Sequence, residues 1–382
     1  MGKHLFLIWK NLRRNARRSI LTVISTSISV FLIGSLLSVY GMLYGREVRE
    51  ESALRLVTRH KVSLTQALPY HYRSKIAAID GVENLLPMNW FGGVYIDQKP
   101  EHMFPRFAVD QEELFDIYRE YEVPAEQLEA FQRDRQGMAI GKSIADRLGL
   151  KLGQRITIKG DIYPIDPEFT IRAIFEGPDD FNSFFHFKYL EEGLGPEAGS
   201  HVGVFTIRLR SVEDASSVAR AVDEMFRNAP EPTKTETEAA FALAFVSQIG
   251  NVKLFLLSIG TAIVFTMLMV SANTMAMSVR ERTREIGVLK TLGFPSGTVL
   301  GLVLGEAAVI SLLGGVLGVV LTLGVTAAMA GVMVQFFTGF TLPSWGVVAC
   351  FAVAFGVGLG SSAVPAAVAA RTRIVDALRH TG

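Results

Sequence analysis

Four long apolar stretches constrain the fold of this sequence more than any other feature. Residues 19–43 and 254–279 contain no charged residue, and each is long enough to cross a hydrocarbon core, which takes about 20 residues. Residues 298–340 carry a single charge, Glu306, and are too long for one crossing, whereas residues 345–370 are uncharged. We therefore predict four transmembrane helices, at 19–44, 251–279, 298–324 and 345–370. The segment at 325–344 is predicted to be an extracytoplasmic loop, with a short helix at membrane level as the alternative.

The basic residues beside these stretches predict the orientation of the chain. Residues 1–18 carry six Lys and Arg and no acid, the 280–297 connection carries four, and the tail at 371–382 carries three. Lys and Arg are retained on the cytoplasmic side of short loops, and the turn between the third and fourth spans has none. We expect a multi-pass protein of the bacterial inner membrane with both termini in the cytoplasm. The first apolar stretch exceeds a signal-peptide core and lacks a small-residue cleavage site, so it predicts a signal anchor.

Residues 1–18 predict an amphipathic helix on the cytoplasmic membrane surface. Leu5, Ile8, Trp9 and Leu12 recur at helical spacing, opposite a basic face. Membrane lipids are therefore expected partners. The predicted membrane-surface anchor consists of Trp9, Arg13, Arg14, Arg17 and Arg18.

Residues 45–250 predict an extracytoplasmic α/β domain between the first two spans. Apolar residues alternate along 169–175 and 205–209, which is typical of half-buried strands, and about 200 residues can bury a core of their own. A further strand is expected at 155–159 and helices at 72–79, 143–148 and 212–226. The flanks at 46–59 and 235–252 are expected to be helical stalks. The segment 137–143 resembles a phosphate-binding loop but has one residue too few between its glycines, so we interpret it as strand, turn and helix.

The charged connection at 280–297 predicts a short cytoplasmic helix that ends at Gly293, with Pro295 beyond it. Ile286, Leu289 and Leu292 form an apolar ridge between charged residues, a pattern suited to docking in a partner's groove. A solvated connector is the alternative, and the pattern alone does not decide between the two.

Composition argues against several other classes of function. Cys350 is the only cysteine, the seven histidines show no metal-ligand spacing, and the net charge is +1. We therefore expect no metal site, no nucleic-acid partner and no cofactor held by this chain. No second titratable group joins Glu306 inside the apolar stretches, so no catalytic residues are predicted.

Several segments together resemble FtsX-like and MacB-like ABC transporter permeases, also called type VII ABC transporters. They are the start at Trp9–Thr22, the stretches Ile140–Gly153 and Ser278–Gly293, and the end at Pro365–Arg379. The resemblance implies a MacB-like periplasmic core domain and a helix that couples the permease to an ATPase. The coupling residues that it implies are Arg280, Glu281, Arg282, Arg284, Glu285, Ile286, Gly287, Val288, Leu289, Lys290, Leu292 and Gly293.

The same resemblance implies partners and a mechanism. A separate cytoplasmic ABC ATPase dimer binds ATP and Mg, a second permease subunit completes a homodimer or heterodimer, and a periplasmic adaptor or substrate protein is a further partner. The permease transmits ATP-driven motion to its extracytoplasmic domain for export or extraction of a lipid, lipoprotein, peptide or drug. The alternative is an FtsX-type regulator that activates an extracytoplasmic cell-wall hydrolase. Residues 85–135 match no segment of these families.

Glu306 and the glycine pairs leave two further questions open. An ionisable group in an apolar stretch is a functional candidate, yet Glu306 lies close to the predicted coupling helix. It is expected to pair with Arg280 or Arg282, and a proton relay is the alternative. The GxxxG pairs that begin at Gly301, Gly314 and Gly356 predict close helix packing, within one subunit or across a dimer.

Overall fold

A computed structural model of the protein describes residues 16–45, 49–195, 200–248, 250–333 and 340–372. The chain forms two compact units, a helical unit and an α/β domain of residues 46–249. Most of the predicted surface helix, including Trp9, Arg13 and Arg14, lies outside the described residues, as does the tail from residue 373 onward.

The first long helix, α1, spans Ala16–Tyr44 and belongs to the helical unit. After Arg17 and Arg18 its sequence is mostly apolar, with interspersed serines and threonines, several of which hydrogen-bond to the backbone of the same helix. Ser29 Oγ donates to the carbonyl of Ser25, and Ser35 Oγ donates to that of Phe31. Such local bonds satisfy a hydroxyl without a partner from another helix, which lets these residues lie in an apolar helix.

The α/β domain follows α1 and is built on a nine-stranded mixed sheet. In chain order its elements are α2 (Glu50–Ala53), β1 (Arg55–His60), β2 (Leu68–Pro69), α3 (Tyr72–Ala77), β3 (Val82–Trp90), β4 (Gly93–Val94), β5 (Arg106–Val109), α4 (Leu114–Ile117), α5 (Ala125–Arg133), β6 (Gly137–Gly141), α6 (Lys142–Leu148), β7 (Arg155–Thr157), β8 (Lys159–Gly160), β9 (Glu168–Phe175), β10 (Ser183–His186), α7 (Phe187–Leu194), β11 (His201–Val202), β12 (Val204–Leu209), α8 (Ala215–Met225), β13 (Thr233–Thr237) and α9 (Glu238–Gln248).

The strands of the main sheet lie in the order β13-β1-β12-β3-β5-β10-β6-β9-β7. The pairs β5–β10 and β6–β9 are parallel, and the other neighbours are antiparallel. The two smaller sheets in the described residues pair β2 with β11 and β4 with β8. The first and last strands of the domain, β1 and β13, are therefore neighbours at one edge of the sheet, so the chain enters and leaves the domain at adjacent strands.

Side chains on the two faces of the sheet form two separate hydrophobic clusters. Consecutive residues alternate between them. Leu85 and Phe185 belong to the larger cluster, whereas their neighbours Leu86 and Phe184 belong to the smaller one. This follows from the two-residue period of a strand. Helices α3, α6, α7 and α8 contribute to the larger cluster, and α4 and α5 contribute to the smaller one.

Two predictions about the domain's flanks are wrong in part. Residues 55–59, predicted as part of a helical stalk, belong to strand β1. The reason is that this segment lies between β12 and β13 and pairs with both of them. Residues 235–237 likewise belong to β13, and the helix of the second stalk begins only at Glu238. The stretch predicted as a strand at 155–159 is divided between β7 and β8.

Three long helices and one short helix complete the helical unit. They are α10 (Val252–Glu281), α11 (Thr283–Thr291), α12 (Ser296–Met333) and α13 (Ser344–Arg371). Together with α1, the three long helices are the four among the described residues that are long and apolar enough to span a membrane. The predicted loop or separate short helix at 325–344 is wrong for 325–333, which continue α12 without a break. Val325–Met333 contains no proline and is rich in alanine and methionine, which favour helix.

Small residues bring the long helices close together. A Cβ added to Gly314 would meet Thr26, and one added to Gly318 would meet Ser27 and Val30, so α12 packs closely on α1 within one subunit. Between α10 and α13, the hydroxyls of Ser271 and Ser361 hydrogen-bond at 2.8 Å. Around Gly301 and Gly356 there is open space within 4 Å of an added Cβ.

Candidate functional site: the helix between α10 and α12

Helix α11 occupies the centre of the charged segment predicted to couple the chain to an ATPase. The backbone leaves helical geometry at Arg282, where α10 stops and α11 starts. At the other end Gly293 adopts φ +88°, a conformation that glycine alone adopts readily. The Gly293 N–H donates to the carbonyl of Lys290, and the Phe294 N–H donates to that of Leu289. These are the two bonds of a Schellman motif, which ends α11 sharply before α12.

A buried ion pair holds the start of α11 against α12. Arg282 Nη1 donates to Glu306 Oε2 at 2.6 Å, and the two side chains are only 10% and 7% exposed. The predicted pairing of Glu306 with one of two arginines is thus confirmed for Arg282, while Arg280 is exposed. An arginine–carboxylate pair in a low-dielectric site fixes the geometry of both groups, because separating them leaves a charge buried alone.

The other end of α11 is held by Lys290. Its Nζ donates to the carbonyls of Ala370 and Thr372, at 2.7 Å each, where α13 ends. A cation at this position satisfies carbonyls that lack helical partners and complements the negative end of the helix dipole. Lys290 therefore joins α11 to α13 within the subunit.

A third polar contact links the base of α1 to the end of α10. Arg18 Nη1 donates to Glu281 Oε2 at 2.5 Å, and Arg18 Nη2 donates to Ser278 Oγ at 2.8 Å. Arg18 was predicted as a membrane-surface anchor, and here it also contacts α10. Arg17 is exposed.

The apolar residues of the α11 segment divide between an inner and an outer face. Ile286 is buried against Val279, Val299 and Ala369. Three others lie on the outer face, which we define as Val288, Leu292 and Phe294, with exposed fractions of 46%, 71% and 37%. The ridge predicted from Ile286, Leu289 and Leu292 is therefore not one surface: Ile286 packs inside the subunit and Leu289 is half-buried.

The remaining predicted coupling residues are placed around this division. Arg280, Glu281, Arg284, Glu285 and Gly293 are exposed, whereas Arg282 and Gly287 are buried. The outer face therefore combines three apolar side chains with charged residues at its border. Contacts at its two ends hold α11 to α12 and to the end of α13. Among the described residues, no group of three His, Cys, Asp or Glu side chains is placed to hold a metal ion.

Two features of this site escaped sequence reasoning. Phe294 lies beyond the glycine that ends α11, so helical periodicity did not include it with Leu292. The sequence predicts Lys290 as a residue of the docking helix. Its contact with the end of α13 is not visible in the sequence, because that end lies some 80 positions later in the chain. A basic residue in the last turn of a short helix is a weak signal for such a contact.

Comparison with known families covers nearly the whole chain. Residues 19–225 match the MacB-like periplasmic core domain family, and residues 256–374 match the FtsX-like permease C-terminal family. The first match includes residues 85–135, so the prediction that these residues match no segment of the two families is wrong. The uncharacterized ABC transporter permease MJ1507 of Methanocaldococcus jannaschii is 24% identical over 97% of this chain and 96% of its own length.

Two longer relatives match about half of the chain. The pyoverdine export ATP-binding/permease protein PvdT of Pseudomonas savastanoi pv. phaseolicola is 31% identical over 48% of this chain. The macrolide export ATP-binding/permease protein MacB of Neisseria gonorrhoeae is 28% identical over 47% of it. In each case the match spans 28% of the relative's length. With a MacB-like core in its first part and an FtsX-like region in its second, this multi-pass membrane protein belongs to the MacB/FtsX-type family of ABC transporter permeases.

Proposed function

We propose that this permease transmits ATP-driven motion from a separate cytoplasmic ATPase dimer to its α/β domain. The observation that carries the proposal is the geometry of α11. It presents Val288, Leu292 and Phe294 outward while the Arg282–Glu306 pair and the Lys290 contacts fix it to two long helices, α12 and α13. A partner that moves the outer face of α11 therefore moves the long helices as well.

The proposed orientation places α11 and both termini in the cytoplasm and the α/β domain on the far side of the inner membrane. Basic residues flank α11 and the start of α1, which supports this orientation. The ATPase dimer would hold ATP and Mg, and the permease would work as a homodimer or heterodimer. A dimer suits an ATPase dimer because each subunit then offers one α11.

We propose export, or extraction from the membrane, as the direction of transport, since the names of two relatives specify export. The cargo class is a lipid, lipoprotein, peptide or drug that the α/β domain contacts, with or without a periplasmic adaptor. The described parts of the long helices support this assignment, because their hydroxyls mostly bond to backbone carbonyls of their own helix, as in Thr266 and Thr274. Such helices offer a polar cargo few anchors.

Purification with and without an ATPase tests the proposal. The chain alone is expected to hydrolyse no ATP, whereas co-expression with its cognate ABC ATPase should yield a stable complex that hydrolyses ATP. The control is the same complex with the ATPase's catalytic glutamate replaced, which should assemble without turnover. Turnover by the isolated chain, or failure to bind the ATPase, would contradict the proposal.

A further inference from the structure

Two arginines lie directly opposite each other in the α/β domain, at the edge of the sheet where the chain enters and leaves. Arg55 of β1 is in register with Arg208 of β12, and the side chain of each is only 3% exposed. Like charges at opposed positions repel, and burial adds a desolvation cost, so such a pair persists only where carboxylates surround it.

Arg55 joins the second stalk to the body of the domain. Its Nη1 and Nη2 donate to the two carboxylate oxygens of Glu120 at 2.9 and 2.6 Å, and its Nε donates to Glu238 at 2.9 Å. Glu238 is the first residue of α9, and Glu120 lies three residues beyond α4. The guanidinium also lies 4.6 Å above the ring of Tyr118.

Arg208 makes the equivalent connection for the first stalk. Its Nη2 lies 2.8 Å from a carboxylate oxygen of Glu51 in α2, and its Nε lies 3.1 Å from Glu83 in β3. Its Nη1 donates to the carbonyl of Ile117, the last residue of α4. Both arginines thus connect a stalk helix with the same segment, residues 114–121.

Residues 114–121 belong to the smaller hydrophobic cluster of the domain. Leu114, Ile117, Tyr118 and Tyr121 are all buried in it. A displacement of either stalk helix would therefore pull on the arginines and, through them, on one face of the domain's core.

We propose that these two arginines and their four carboxylates form a transmission node, which passes movement of α2 and α9 to segment 114–121. The node consists of Arg55, Arg208, Glu51, Glu83, Glu120 and Glu238. The inference rests on the proposed function, since it assumes that ATP-driven motion reaches the stalks. Buried ion pairs rarely stabilise a fold more than apolar residues of the same volume, but they admit few geometries, and transmission requires that property.

Because of its surroundings, Glu238 can be replaced in a way that tests its role in the node without lowering the stability of the domain. Burial raises the pKa of Glu238, although the nearby Arg55 opposes that shift. For a carboxyl group whose folded-state pKa is raised, stability falls as pH rises through that pKa, so the charged form is a net cost at neutral pH. Glu238→Gln should therefore leave the domain about as stable as wild type while weakening the link between Arg55 and α9.

The test uses the full-length permease with its ATPase in lipid nanodiscs and two spin labels in one α/β domain. Cys350→Ala removes the only cysteine, and Leu243→Cys on α9 and Glu129→Cys on α5 accept the labels. The distance between the labels is measured without nucleotide and with ATP bound to a hydrolysis-deficient ATPase. In the wild-type chain, ATP is expected to shift the distance distribution.

ATP is expected to change the ratio of two label distances, one that predominates without nucleotide and one that predominates with ATP. In Glu238→Gln and Glu120→Gln, we expect this ATP-dependent change in the ratio to be about twofold to thirtyfold smaller. The matched control is Glu236→Gln, which removes a similar ion pair on the same strand β1, Arg59–Glu236 at 2.9 Å, between β1 and β13 and away from segment 114–121. The control should keep the full shift.

Each outcome decides the matter. A full shift in the Glu238 and Glu120 variants, or an equal loss in the Glu236 control, would overturn the node and leave the proposed function standing. Absence of any ATP-dependent shift in the wild-type chain would also overturn the node, but it would leave the proposed function standing, because this label pair does not measure movement of the domain as a whole. Thermal unfolding of each variant identifies any loss that comes from an unfolded domain.

Discussion

Replacing Glu306 with leucine is expected to destabilise the helical unit by about 3–5 kcal/mol, the usual cost of removing one partner of a buried ion pair. The reason is that Arg282, whose side chain is 10% exposed, would keep its charge in a site that no longer holds its carboxylate. Thermal unfolding of the full-length protein in nanodiscs measures the effect.

The double variant Arg282→Met/Glu306→Leu is expected to recover most of that stability, because no charge is then left buried. Arg280→Met is the control, since it removes an exposed arginine two residues away and should change the unfolding temperature little. A single Glu306→Leu variant as stable as wild type would show that the pair does not hold α11 against α12.

The second large effect is expected at the outer face of α11. Leu292 has the most exposed side chain of the three apolar residues there, at 71%. If it is a central anchor for the ATPase, Leu292→Asp should cost at least about 2 kcal/mol, or roughly thirtyfold in affinity. Titration of the labelled ATPase against permease in nanodiscs measures this directly.

Ile286→Val is the matched control, because Ile286 lies on the same short helix but packs inside the subunit. It should bind the ATPase as the wild type does. Equal affinities for the wild type and Leu292→Asp would assign α11 to the alternative of a solvated connector.

The sequence predicted best those elements whose signal is local. The four long helices follow from uncharged stretches, and β9 and β12 follow from apolar alternation at 169–175 and 205–209. The end of α11 follows from Gly293, whose backbone conformation requires glycine. In each case the residues that determine the element lie within it.

The errors have the opposite origin, because contacts with distant parts of the chain determine those elements. Arg55 and Arg59 interrupt the apolar pattern of β1, so the sequence predicts a charged stalk there. Both arginines are in fact buried, and each forms an ion pair with a carboxylate from another element. Ile286 is turned inward by Val299 and Ala369, which lie on two other helices. Periodicity within one segment carries no information about such partners.

The central claim is that ATP binding to a partner moves the α/β domain. Its most direct test is the distance between the two α/β domains of a permease dimer, each labelled at Glu129→Cys in the Cys350→Ala background and assembled with a hydrolysis-deficient ATPase. We expect the distance distribution to shift when ATP is added and to remain unshifted when Leu292→Asp prevents docking. An identical distribution with and without ATP, in a complex shown to bind the nucleotide, would contradict the account.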